Sequence, residues 1–227
     1  METKYYLDRP LRNDLGIIPS VPLYKTYPEL PKFYLPKEDF PSANFEKIIN
    51  KRRSKRYYKE DCLNLKELAH LFWASQGITS KEGLRAAPSA GALYPIETYV
   101  SIFRVKGIPM GIYHFNVHDF LLERLAEGNF SESFTTASLG QGVVGRAAVL
   151  FIWTAVILRS MAKYRNRAIR YIFLDAGHIC QNLLLAATAL NLGACPVGAF
   201  FDDEINKLLK IDGEQETAIY LVTVGKI

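Results

Sequence analysis

The sequence has 227 residues, 49% of them hydrophobic and 22% charged, which suits one large globular domain or two small ones. Its 3 cysteines include no Cys-x-x-Cys pair, which argues against a zinc site or a disulfide framework and leaves buried thiols as the simpler reading. The net charge of +5 falls entirely in residues 1–60, which hold 13 Lys/Arg against 8 Asp/Glu, so the cationic surface is one segment and not the whole molecule.

Residues 1–41 carry seven prolines and little periodicity, and are expected to form an extended arm, with the domain proper over 42–227. The N-terminal METKYYLDRPLRNDLG lacks the apolar core of a signal peptide, and no apolar run reaches the roughly 18 residues of a membrane helix. A cytoplasmic protein with no membrane partner is expected. SANFEKIIN predicts a short helix with Phe45, Ile48 and Ile49 on one face. In NLKELAHLFWASQG, Asn64 and Glu67 have the spacing of a capping box and Gly77 marks the stop. A strand is expected over about 97–105, and GIYHFNVHDFLLERL reads as a hairpin turning near 117–119. AAVLFIWTAVI, residues 147–157, predicts a central strand buried on both faces. A long helical stretch follows from Met161 to Leu192, its second half apolar nearly all round and therefore expected to be a buried central helix containing a core histidine, His178. Asp202 or Asp203 caps a short helix, and TAIYLVTVG is a last strand. Strands and helices mix without a strict βαβ rhythm, which predicts an α+β fold with a mainly antiparallel central sheet flanked by helices.

Four segments bear on chemistry. GQGVVG, residues 140–145, matches the dinucleotide fingerprint in letters, but a polar stretch precedes it and a strand follows, so it is read as a loop. KRRSKRYYK, residues 51–59, reads first as a solvated face; it also mixes the planar fork of Arg with the hydroxyl of Ser, a donor set suited to phosphate, and offers a nucleic-acid contact using Tyr57 and Tyr58. APSAGALYPIE, from Ala87, is a loop of small residues opening into a strand, and GACPVGAF, from Gly193, is read as a Gly/Pro loop after the long helix. Small residues in both let backbone groups approach a ligand closely.

Taken together, KRRSKRYY, APSAGALYPIE and GHICQNLLLAATALNLGACPVGAF resemble the nitroreductase superfamily over residues 45–227. SAGALYP and KYRNRAIRYIFLDAGHICQN look most like its SagB-type branch, which includes peptide azoline dehydrogenases. The resemblance implies an FMN-dependent oxidoreductase, a homodimer with FMN at the interface, a small-molecule or peptide substrate and no nucleic acid, with NAD(P)H as a transient electron donor. It implies that Arg52, Arg53, Ser54 and Arg56 hold the FMN phosphate and ribityl chain. Pro88, Ser89, Ala90, Gly91 and Ala92 would then line the ring, Pro196, Val197 and Gly198 would cover its other side, and Gln141 would add a polar contact. Many family members bring basic residues from a C-terminal arm to the phosphate; here Lys226 is the candidate. Lys163 and Tyr164 match the adjacent Lys-Tyr pair that assists proton removal in the SagB-type branch; Arg165 and Arg167 nearby, or partial desolvation, would favour the neutral amine. A nucleic-acid-binding module on residues 51–59, or a flavin carrier without catalysis, are the alternatives.

Overall fold

The structure, a computed structural model, describes residues 21–36 and 44–227. Its frame is a seven-stranded sheet in the order β1-β4-β3-β2-β5-β7-β6. The strands are β1 (Lys32–Tyr34), β2 (Ile96–Ile102), β3 (Gly111–Asn116), β4 (Leu121–Glu127), β5 (Val149–Val156), β6 (Leu192–Val197) and β7 (Glu216–Lys226), and every pairing is antiparallel. Alternation along β5 explains its unbroken apolar sequence. Val149, Phe151 and Trp153 face one core, while Leu150 and Ile152 face the other.

Helices cover both faces. The first core is closed by α2 (Leu65–Gln76) and α6 (Ala168–Ala189), and the second by α3 (Ser131–Ala137), α4 (Gly142–Arg146) and α7 (Asp202–Leu209). Burying a side chain such as Phe72 or Phe134 completely contributes about 1.5–3 kcal/mol each. The capping box on α2 is complete: Asn64 accepts the Glu67 N–H at 2.9 Å, and Glu67 accepts the Asn64 N–H at 2.9 Å. A short α1 (Phe45–Lys51) is capped by Asn44 and buries none of its residues.

Several sequence expectations change. The long helical stretch is two helices, α5 (Ile157–Tyr164) and α6, joined by a 3-10 turn at Arg165–Arg167. By length and composition the stretch Ile157–Ala189 does reach the threshold for a membrane span, but half of its apolar window is buried in this fold, as in a core helix. Nor is α6 buried all round: Phe173, Leu174, Gly177, His178 and Gln181 form an exposed stripe, so His178 is no core histidine. GACPV is not a loop but edge strand β6, where Pro196 is tolerated because an edge strand leaves one side of its backbone unpaired. GQGVVG contains α4, preceded by a helix and not by a strand, which upholds its rejection as a dinucleotide site. Phe201 precedes α7, with Asp202 and Asp203 in its first turn and no side-chain cap. Cys62 is exposed, while Cys180 and Cys195 are buried, and all three are free thiols. Of the expected arm, residues 21–36 are described, and Lys32–Tyr34 join the sheet as β1; residues 1–20 and 37–43 lie outside the described residues.

Candidate active site

The basic segment is fixed along the open edge of β6. Ser54 bridges Ala194, and the Lys55 N–H donates to the Ala194 carbonyl at 2.9 Å. Tyr58 locks the segment onto β7: its hydroxyl lies 2.7 Å from Thr223 Oγ1, and its ring packs so closely on Gly225 that a Cβ there would sit 2.7 Å away. Arg53 donates to the Arg52 carbonyl at 2.6 Å. Arg53 and Arg56 are exposed, and among the described residues neither has a carboxylate partner. Ser54, Arg56 and Tyr58 line an open cavity of about 540 Å³. Arginine forks and a hydroxyl, on a backbone held to a sheet edge, are the donor types a phosphate takes, although Arg53 itself lies outside the lining of this cavity.

Farther along the same edge, Pro196 and Val197 end β6, and Gly198 and Ala199 are exposed just beyond. Gln141 reaches this loop, but its amide donates to the Ala199 carbonyl at 2.7 Å and to the Ser138 carbonyl at 3.0 Å. It braces the loop with the donors that a ligand contact would use. Lys226 is also spent: its ammonium lies 2.5 Å from Glu67 Oε1, so a phosphate role would first require breaking that ion pair.

A second group forms around the small-residue turn. Ser89 leads into a 3-10 turn over Ala90–Ala92, with Gly91 at φ 64°, Ala92 at 54° and Tyr94 at 46°. Two non-glycine residues at positive φ mark a strained turn that the surroundings must hold. Asp175, buried in α6, accepts the Ser89 hydroxyl at 2.6 Å and the Ala90 N–H at 3.2 Å. Ser89 Oγ in turn accepts the Tyr94 N–H at 2.9 Å. Burial pushes the Asp175 carboxyl up, against the two donors that favour its charge.

Lys163 and Tyr164 converge on this turn. A Cβ built on Gly91 would lie 2.7 Å from Tyr164 Oη and 3.0 Å from Lys163 Nζ. Adjacent helical residues diverge by about 100°, so both reach one point only because α5 ends there, at Arg165 with φ 51°. The Tyr164 and Tyr171 rings meet tilted, their planes 47° apart and their centroids 4.4 Å apart. The Lys163 side chain is exposed, so any desolvation of its amine must come from something laid over it. An apolar cavity of about 530 Å³ beside α5 is lined by Ile157, Met161, Ile169 and Ile219, with Arg165 and Asn166 in its polar lining.

The placement of α5 depends on a buried ionic network that sequence reading missed. Cross-strand register puts Tyr99, His114 and Glu123 side by side on β2, β3 and β4, and Glu97 opposite Thr154. Both ring nitrogens of His114 face carboxylates, Glu123 at 2.9 Å and Glu97 at 3.1 Å. Ionised carboxylates only accept, so both nitrogens donate and the ring is an imidazolium. Burial opposes this charge, but the two carboxylates outweigh it and raise the His114 pKa. Arg159 of α5 donates to Glu97 at 2.5 Å, to the Tyr94 carbonyl at 3.2 Å and to the Pro22 carbonyl at 2.7 Å. One guanidinium therefore fastens α5 to the turn, to β2 and to the N-terminal segment. Lys25 pairs with Glu216 and Lys32 with Glu123 from the same segment.

The structure thus divides the expected site residues into two groups. Arg52, Arg53, Ser54, Arg56, Gln141, Pro196, Val197 and Gly198 gather at the β6 edge; Pro88, Ser89, Ala90, Gly91, Ala92, Lys163 and Tyr164 gather beyond β2. Strands β5 and β7 stand between β2 and β6, three spacings or roughly 14 Å across the sheet. Within a single chain the strand order thus sets the two groups apart. Asp175 and Arg159 were missed because their partners are distant in sequence; a carboxylate inside an otherwise apolar helix was the one signal present.

Comparisons with known proteins agree with this architecture. The chain is 36% identical over 188 residues to the protein MJ1384 of Methanocaldococcus jannaschii, itself named as a nitroreductase, covering 83% of this chain and 93% of that protein. It is 32% identical over 149 residues to the trifolitoxin-processing protein TfxB of Rhizobium leguminosarum bv. trifolii, covering 63% of this chain and 39% of that protein. The crystal structure of a nitroreductase from Anabaena variabilis superposes with a TM-score of 0.81 at 30% identity, over 98% of this chain and 46% of the larger one. The profile of the nitroreductase family matches residues 49–226, and the chain belongs to that family.

Proposed function

We propose that the protein is an FMN-dependent oxidoreductase acting as a homodimer, with each flavin site assembled from the β6 edge of one copy and the Gly91–Lys163–Tyr164 corner of the other. Members of the family are generally FMN-dependent oxidoreductases and usually homodimers. The observation that carries the cofactor reading is the cationic segment itself: Arg53 and Arg56, without carboxylate partners among the described residues, flank in sequence a Ser54 pinned to β6. The residues fit a phosphate monoester attached to a flat, apolar ring. Arg53, Ser54 and Arg56 would cradle the dianion, and the exposed Gly198–Ala199 backbone, held by Gln141, would accommodate the ring. FMN, when bound, supplies the two-electron chemistry that no side chain here provides.

Two copies are favoured by the exposed stripe on α6. Phe173 and Leu174 are 58% and 51% exposed, and a Cβ on Gly177 would meet nothing within 4 Å. A glycine inside an exposed helix costs about 1 kcal/mol relative to Ala, and nothing among the described residues requires it. A second helix crossing there would.

Among the reactions open to such a site, SagB-type dehydrogenation is favoured by the meeting of Lys163 Nζ and Tyr164 Oη over Gly91, and by the likeness to a peptide-processing relative. In this reading Lys163 takes a proton from a substrate C–H and Tyr164 orients it. Reduction of nitro, quinone or enone acceptors by NAD(P)H needs the cradle but not the pair. Localisation in the cytoplasm belongs to the same proposal.

Titration of apo-protein with FMN and with riboflavin tests the cradle. FMN binds at least about tenfold tighter than riboflavin, because only FMN carries the phosphate, and Arg53→Ala with Arg56→Ala abolishes the difference. Equal affinity of the unaltered protein for the two flavins removes the cradle from the account.

A further inference from the structure

We infer that Asp175 is a positioning residue: it fixes the strained Ser89–Ala92 turn so that Lys163 and Tyr164 meet over Gly91. The inference rests on the reading of Lys163 and Tyr164 as the proton-handling pair, and adds a residue that acts only through the turn.

A carboxylate in the apolar core of α6 is costly, and this one is 3% exposed. It is retained with two bonds, to the Ser89 hydroxyl at 2.6 Å and the Ala90 N–H at 3.2 Å, both at the start of the turn. The bond from Ser89 also settles the direction of that hydroxyl. With its hydrogen on Asp175, a lone pair of Ser89 Oγ faces the Tyr94 N–H at 2.9 Å. Asp175 therefore fixes both ends of the turn, through Ala90 directly and through Ser89 to Tyr94. Between those ends lie Gly91 and Ala92 at positive φ, a conformation that relaxes unless held. The far side of Gly91 is where Tyr164 Oη and Lys163 Nζ come within 2.7 and 3.0 Å of a Cβ position. Movement of the turn changes the surface against which both side chains rest, although Asp175 touches neither.

Amide hydrogen exchange on the full-length apo-protein and steady-state kinetics on the FMN-loaded protein test this together. In Asp175→Ala the Ala90 and Tyr94 amides exchange about tenfold faster or more, while β5 amides keep their protection. Oxidation of a synthetic thiazoline dipeptide loses about tenfold or more in kcat with KM little changed, and NADH-driven reduction of menadione, which needs no base, is kept. Asp175→Asn, which retains one acceptor for the Ala90 N–H, falls between the two. Unchanged protection at Ala90 and Tyr94 overturns the inference, as does a parallel fall of both activities with a lowered melting temperature, the mark of a merely structural residue. Lys163→Ala separates the two readings. If it spares thiazoline oxidation, the proton-handling pair fails; if it abolishes that oxidation while Asp175→Ala does not, the pair stands and Asp175 is not its positioning residue.

Discussion

Gly91 is where backbone and site chemistry meet, because its missing side chain is what lets Tyr164 and Lys163 approach. In Gly91→Ala the methyl would sit 2.7 Å from Tyr164 Oη, on a backbone at φ 64°. The positive φ alone costs about 1 kcal/mol, and the clash adds to it. In a Tyr164→Phe background the clashing oxygen is gone, so Gly91→Ala costs less there than in the unaltered chain. Urea unfolding of the four proteins gives this difference; strictly additive losses would show that the two residues do not touch. His114 makes a second residue-scale case, in pH. Its pKa is raised, so its contribution to stability is full below the unfolded value of 6.5 and is lost as pH climbs toward the folded one. Burial works to raise the Glu123 carboxyl, but the bonds from His114, Lys32 and the Tyr27 N–H outweigh it and hold it at about 2. Its contribution is full above the unfolded 4.5 and lost as pH falls toward 2. The stability difference between the protein and His114→Gln is therefore greatest between pH 4.5 and 6.5 and shrinks at alkaline pH. A difference that is the same at pH 5.5 and 8.5 contradicts the imidazolium assignment.

Among the elements, those with a local signature were legible in the sequence. The Asn64–Glu67 box, the 111–127 hairpin and the unbroken apolar run of β5 each obey a short-range rule, and each forms as expected. Elements defined by distant partners were not. Strand β6 is hidden because Gly193, Ala194, Cys195 and Pro196 have no β-branched pattern; its strand character comes from pairing with β7. The α6 stripe is hidden because Phe173 and Leu174 read as core when nothing tells which face the sheet takes. The candidate site follows the same division. Its segments were legible, but their separation across the sheet was not, nor was the use of Lys226 and Gln141 inside the chain. The N-terminal segment 21–36 is likewise fastened by charge rather than by pattern, through Lys25, Lys32 and Arg159. Lys25→Met leaves the Glu216 carboxylate without its cation and lowers unfolding free energy by roughly 2–3 kcal/mol. It also opens the Tyr24–Tyr27 stretch to limited proteolysis. A protein as stable and as protease-resistant as the unaltered chain would show that this segment is not held by the ion pair.

At the scale of the whole molecule, one chain holds two groups of candidate site residues set apart across the sheet. In the proposed reading the β6 edge would bind and orient the cofactor, the α5 corner would handle a proton, and the exposed α6 stripe would be the surface by which a second copy unites them. Phe173→Asp, on an exposed position, spares the fold and places a charge in that surface, so dimer and flavin site are lost together. Native mass spectrometry of the protein mixed with FMN counts chains and cofactors in one spectrum, and the Phe173→Asp protein is its matched control. The account predicts two chains carrying two FMN molecules for the unaltered protein, and single chains without FMN for Phe173→Asp. A single chain that holds FMN, or a dimer that takes up none, contradicts it.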